Sequence, residues 1–179
     1  MDPVKVVIAG PFGAGKTTLI RTISEITVLS TESDISDGSG IGEKNQTTVG
    51  IDFGRITIAE DLILYLFGTP GQKRFDFMWE VASKGMLGFI LVVDHARPES
   101  LTEAQEIFDY FATHQTPSIV AVNKGSGTMA EREAVAAALG IDDTGRVVTT
   151  DARDRESVKE TLISFLEHLL CEHEDRVAV

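Results

Sequence analysis

Apolar and polar positions along the chain alternate between short β-branched runs and longer stretches of helical period. Val4-Lys5-Val6-Val7-Ile8-Ala9 is a compact run ending at Gly10, the form of a buried strand. Lys16 to Ile23 reads as a helix. Residues 31–46 are built from Ser, Asp, Gly, Glu and Asn with almost no apolar side chain, and read as a loop long enough to be functional. Val49 to Ile58 and Leu62 to Phe67 read as two strands joined by the polar turn Ala59-Glu60-Asp61. Three more β-rich runs follow at 88–94, 118–123 and 146–150. Helical patterns separate them at Pro98 to His114, Ala130 to Leu139 and Glu156 to Glu172. The last places Leu162, Phe165, Leu166, Leu169 and Leu170 on one stripe. Strands alternating with helices predict an α/β fold of three layers, a mostly parallel six-stranded sheet with one antiparallel strand. No internal repeat or linker divides residues 1–179, which read as one domain.

The chemistry begins where the first strand ends. Gly10-Pro11-Phe12-Gly13-Ala14-Gly15-Lys16-Thr17 satisfies G-x-x-x-x-G-K-[ST] at every required position, directly after a strand and opening a helix. Consecutive backbone N–H groups in such a loop form an anion nest at the positive end of a helix dipole. Lys16 adds a point charge for the outer phosphates, and the Thr17 hydroxyl is a hard oxygen ligand suited to Mg²⁺. This is the pattern of a nucleoside-triphosphate site.

Composition narrows the partners. With 16 Lys and Arg against 28 Asp and Glu, the net charge is −12, which argues against nucleic acid and anionic membrane surfaces. A few residues and a helix terminus can still hold a triphosphate on so acidic a protein. Cys171 is the only cysteine, so no internal disulfide forms and a reducing compartment is expected. No apolar run approaches the roughly 20 residues of a membrane span. Met1-Asp2-Pro3 leads straight into the first strand without the basic start of a secretion leader, and with eight residues after Cys171 no prenylation box is expected. A cytoplasmic protein is expected, reaching membranes only through protein partners.

Further motifs resemble the Ras superfamily along nearly the whole chain. Thr47-Thr48-Val49-Gly50-Ile51-Asp52-Phe53-Gly54 is similar to switch I of Rab-type GTPases, and Gly68-Thr69-Pro70-Gly71-Gln72 stands where switch II carries D-T-A-G-Q. Asn123-Lys124 ends a strand where N-K-x-D is expected, and Asp151-Ala152-Arg153 stands for S-A-K. The joint runs P-F-G-x-G-K-T-T, T-V-x-x-D-F-G-R-I and L-F-G-T-P-G-Q-x-R-F resemble the bacterial MglA-like group, particularly the actinobacterial conservon type. The resemblance implies switch I at about 31–50 and switch II at about 68–82, with GTP, GDP and Mg²⁺ as ligands. It implies nucleotide contacts from Gly10, Phe12, Gly13, Ala14, Gly15, Lys16, Thr17, Thr18, Gly71, Asn123, Lys124, Ala152 and Arg153. Thr48 would close over the γ-phosphate and complete the metal shell with Thr17, and Gln72 would orient the attacking water beside Lys16. A roadblock-type regulator and sensor-kinase-like proteins are the implied partners.

The pattern also breaks. Gly68 replaces the Asp that holds Mg²⁺ through water in relatives. If the hairpin turns about Glu60, paired residue numbers sum to 120 and Asp52 faces Gly68, so its carboxylate reaches the vacated space. The competing reading of Asp52 is a structural cap at a strand end. Ser126 replaces the acid that pairs with guanine N1 and N2, so guanine stays first choice with weaker discrimination against adenine. Phe12 either obstructs an incoming arginine finger or packs on the switch loops. No Arg lies between Ser24 and Thr48, which leaves Arg74 as the nearest cis candidate and predicts slow hydrolysis. Phe75, Phe77, Met78 and Trp79 read as core or as a nucleotide-gated partner surface, and the four His as surface or satisfied groups. The expected function is a slow GTPase switch. A nucleotide-sensing scaffold without turnover is the alternative, and a small-molecule kinase fits less well for want of an arginine-rich lid.

Overall fold

The computed structural model describes residues 3–30, 32–34, 46–48, 50–72, 75–97 and 99–177, without the side chains of 32–34, 46–48 and 174–177. Strands β1 (Val4–Ala9), β4 (Asp52–Ala59), β5 (Leu62–Gly68), β6 (Gly88–Asp94), β7 (Ser118–Asn123) and β8 (Val147–Thr150) form one sheet of order β4-β5-β1-β6-β7-β8. Every pairing in it is parallel except β4 with β5, as the alternating pattern predicts. Helices α1 (Lys16–Ile23), α2 (Phe77–Ser83), α3 (Glu99–Ala112), α4 (Met129–Ala138) and α5 (Arg155–Val177) cover the faces.

Period-two alternation along the central strands divides the core in two. On one face Val7, Phe89, Leu91 and Val93 pack with Trp79 of α2, Phe111 of α3 and Val135 of α4. On the other Ile8, Ile90 and Val92 pack with Leu19 and Ile20 of α1 and Leu162 and Phe165 of α5. Each fully buried Leu, Ile or Phe contributes about 1.5–3 kcal/mol. Two buried faces explain why these runs are continuously apolar.

Several expectations are corrected. The stretch read as a loop at 31–46 carries strand β2 (Glu32–Asp34), antiparallel to β3 (Gln46–Thr48) with Glu32 opposite Thr48. Pairing there runs through the backbone, so no apolar pattern announces it. The strand expected from Val49 begins at Asp52, and Val49 lies outside the described residues. The hairpin follows the sum of 120 from Asp52↔Gly68 to Thr57↔Ile63, then slips at Ala59↔Leu62 next to the turn. Leu170 is 59% exposed, off the buried stripe. It sits about 80° around the helix from Leu162 at 100° per residue. Pro98 lies outside the described residues, and α3 starts at Glu99. Among the apolar cluster after Gln72, Trp79 is core while Phe77 is exposed. No helix among the described residues is long and apolar enough to cross a membrane.

From β1 the chain passes through α1 to β4 and β5 on one side, then through α2 to β6 on the other. The carboxyl ends of β1, β6, β7 and β8 therefore open at one edge, with the reversal of strand order at β1. Ligands of open α/β sheets bind at such a point.

Candidate nucleotide site

The loop from Gly10 to Gly15 leaves β1 and enters α1 through Gly15, whose φ of 109° is left-handed. Gly10 backs onto Val92 of β6, while Gly13, Gly15 and Thr18 face a polar cavity. The Lys16 stem is buried, and its ammonium donates to the carbonyls of Gly10 at 2.7 Å and Pro11 at 2.6 Å. It thereby stands over the loop whose amides form the anion nest. Arg97, in the turn after β6, donates from Nη1 to the Phe12 carbonyl at 2.8 Å and from Nε to Glu99 at 3.3 Å. This guanidinium, 2.8 Å from the loop's backbone, was not singled out by the sequence reading.

Beside the loop, Thr17 Oγ1 donates to Asp52 Oδ2 at 2.6 Å, and Ser30 Oγ donates to Asp52 Oδ1 at 2.5 Å. Asp52 is 1% exposed and pairs with Gly68 across the hairpin. A Cβ at Gly68 would stand 3.1 Å from the Asp52 Cβ, 3.2 Å from its Oδ2 and 2.7 Å from Ile20 Cδ1. The missing side chain at 68 is the space the carboxylate uses. Gly71 approaches the phosphate loop so closely that a Cβ there would lie 2.3 Å from the Phe12 nitrogen. The segment after β5 thus starts in backbone contact with the phosphate loop, and the Trp79 indole N–H donates to Pro70 O at 3.3 Å. Gln72 follows, half-buried, its carbonyl accepting from Phe75 N at 3.0 Å. The side chains of Thr48 and Arg74 lie outside the described residues.

A cavity of about 210 Å³ adjoins the nest, lined by Gly13, Gly15, Thr18, Asn123, Lys124, Asp151, Ala152 and Arg153. Asn123 Nδ2 donates to Ala14 O at 2.9 Å, and Asn123 Oδ1 accepts from Ala152 N at 3.1 Å. One amide therefore ties the phosphate loop, the end of β7 and the turn after β8. Lys124 adopts a left-handed φ of 61° and its ammonium meets the buried Asp94 carboxylate at 3.0 Å, laying its stem along the cavity.

Ser126 does not line this cavity. Its N–H and that of Gly127 donate to Glu131 at 3.1 and 2.9 Å, and its hydroxyl lies 3.3 Å from the same carboxylate. Burial pushes the Glu131 carboxyl up, but the Gly127 and Ser126 amides and the neighbouring His95 outweigh it and hold the group below the usual Glu value. His95 Nδ1 is 2.5 Å from Glu131 Oε1. Sequence reasoning passed over Glu131, Ser30 and Arg97. Only Glu131 had a local signal, Thr128-x-x-Glu131 at the start of α4, where the Thr128 hydroxyl accepts from Glu131 N.

The predicted residues thus fall together at the carboxyl edge of the sheet, with Thr48 the member whose side chain is outside the description. Residues 8–172 match the family described as "Conserved hypothetical ATP binding protein". An uncharacterized protein of Methanocaldococcus jannaschii is 38% identical over 123 residues, 69% of this chain and 71% of that one. The Ras-related protein Rab-7b of Mus musculus is 34% identical over 59% of this chain and 47% of its own length. The Ras-related protein RABC1 of Arabidopsis thaliana is 30% identical over 77% of this chain and 61% of its own. The matches thus span about half to three-fifths of these two Rab relatives. The chain belongs to the family described as conserved hypothetical ATP binding protein, and within the P-loop fold it is a Ras-like nucleotide-binding protein.

Proposed function

We propose that the whole chain is one GTP-binding unit of the MglA-like, conservon type, which hydrolyses GTP slowly and switches protein partners. The observation that carries the reading is the buried Asp52 carboxylate between the Thr17 and Ser30 hydroxyls and opposite Gly68. These are hard oxygen donors beside an anion nest, and they fit Mg²⁺. Thr17 and Asp52, with Thr48 from switch I, would hold the ion, directly or through water. Bound there, Mg²⁺ supplies charge neutralisation to the phosphate oxygens.

The chain's own groups supply the rest. Lys16 and the nest amides stabilise charge on the outer phosphates, and the Gly71 N–H follows the terminal one. Gln72 orients the attacking water, and Asn123, Lys124 and Ala152 hold the base and sugar. Switch I, about 31–50, and switch II, about 68–82, would order around the triphosphate and relax after hydrolysis. Among the arginines described, Arg97 braces the loop by its Phe12 contact, so fast turnover awaits a partner. Localisation in the cytoplasm, with a roadblock-type regulator recruiting the protein to larger assemblies, follows from the resemblance and the acidity.

In Asp52→Ala the tightening of nucleotide binding by Mg²⁺ is expected to vanish, with affinity in EDTA unchanged. Isothermal titration with and without the metal reads both, and retained Mg²⁺ dependence would sink the role of Asp52. The second reading, a nucleotide-sensing scaffold, is favoured by Gly68 and by the turned-away Ser126. Phosphate release in a single turnover separates it from the GTPase, since a scaffold retains nucleotide without release.

A further inference from the structure

Two loops border the base cavity, and their polar groups are distributed unequally. On the loop after β7, Ser126 commits its N–H to Glu131 and its hydroxyl lies against Thr128 and Glu131, away from the cavity. On the loop after β8, Asp151 is the one carboxylate among the cavity's lining residues. Its Oδ1 accepts the Arg153 N–H at 2.9 Å and its N–H donates to Ser157 Oγ at 2.9 Å, which fixes the side chain in a local turn. Its Oδ2 has no hydrogen bond among the described residues. Asn123 and Ala152 line the same cavity, where the Ala152 N–H donates to Asn123 Oδ1 at 3.1 Å.

A carboxylate in a base-sized cavity selects among purines by elementary complementarity. Guanine carries two adjacent donors, N1–H and the 2-amino group, beside a 6-oxo acceptor. Adenine offers a lone pair at N1, which a carboxylate repels, and hypoxanthine lacks the 2-amino donor. Resting on the reading of this cavity as the base site, we propose that Asp151 is the specificity-determining residue that accepts guanine N1–H and the 2-amino group, in place of an acid at 126. The negative charge has moved from one wall of the pocket to the other. Asp52 and Gly68 make the same kind of exchange across the hairpin.

The test is equilibrium binding of GDP, IDP, XDP and ADP to the full chain, to Asp151→Asn and to Ser126→Ala. The wild type is expected to bind GDP about tenfold more tightly than IDP, and ADP more weakly still. Asparagine keeps an oxygen for the Arg153 N–H, so the turn survives the substitution. In Asp151→Asn, GDP is expected to weaken about tenfold while XDP gains by a similar factor, because the amide N–H donates to the 2-oxo group. Ser126→Ala leaves the GDP-to-IDP ratio unchanged. Equal binding of GDP and IDP, or an unchanged GDP-to-XDP order in Asp151→Asn, overturns the proposal and leaves the base site standing. Preference for ADP overturns the guanine reading and the proposal together, and failure to bind any of the four overturns the nucleotide site itself.

Discussion

Glu131 holds its loop as an anion, and the cost of protonating it sets an acid limit on the site. Its carboxyl sits below the usual Glu value of 4.5, so the folded state binds that proton more weakly than the unfolded chain does. The stability it contributes is therefore complete above 4.5 and is lost as pH falls through the lower folded value. Urea midpoints measured down through this range are expected to drop in the wild type, and Glu131→Gln is expected to flatten that limb. Arg97 belongs at the same scale. Removing its guanidinium in Arg97→Ala leaves the Phe12 carbonyl without that donor, at about 1 kcal/mol. Release of a fluorescent nucleotide is then expected to quicken about fivefold, measured by stopped flow. Lys16, Thr17 and Asp52 could be read directly, the first two from a local motif and the third from ladder arithmetic. Arg97 could not, because its tie to Phe12 spans 85 residues and depends on where β6 lies beside the phosphate loop. Ser30 sits ahead of a polar stretch that carries no register signal.

At the scale of elements, the β4–β5 hairpin decides how the Asp52 carboxylate is delivered to Thr17 and Ser30. Strand pairing carries Asp52 to the position opposite Gly68, and glycine leaves the space its carboxylate occupies. Gly68→Ala is expected to push Asp52 and Ile20 aside and to cost about 1–3 kcal/mol of stability. It should also weaken the Mg²⁺ dependence of nucleotide binding, which separates it from an ordinary packing defect. Thermal melts and metal titrations of the same preparation read the two effects. This hairpin was legible because placing its turn at Glu60 fixes the register of the two strands. The short pairing of β2 with β3 was not, since three polar residues on each strand offer no apolar alternation to read. The far end of α5 was overread because Leu170 keeps the helical period but lies at the margin of the buried stripe.

For the whole molecule, the parallel sheet was foreseeable from its continuous apolar runs, and its order places the site where β1 separates the two directions of winding. The reach of Asn123 across three segments was beyond any linear pattern, since its partners Ala14 and Ala152 lie far away in sequence. Because one side chain clasps both halves of the cleft, filling the phosphate end should stiffen the wall that meets the base. Pyrophosphate alone is then expected to slow hydrogen exchange around Ala152, and Asn123→Ala to abolish that response while leaving protection at Gly13 and Gly15. Mass-resolved exchange of the intact chain reads both. Such a response would make recognition cooperative in a mechanical sense, with the lifetime of the bound state adjustable through that one clasp without touching either wall.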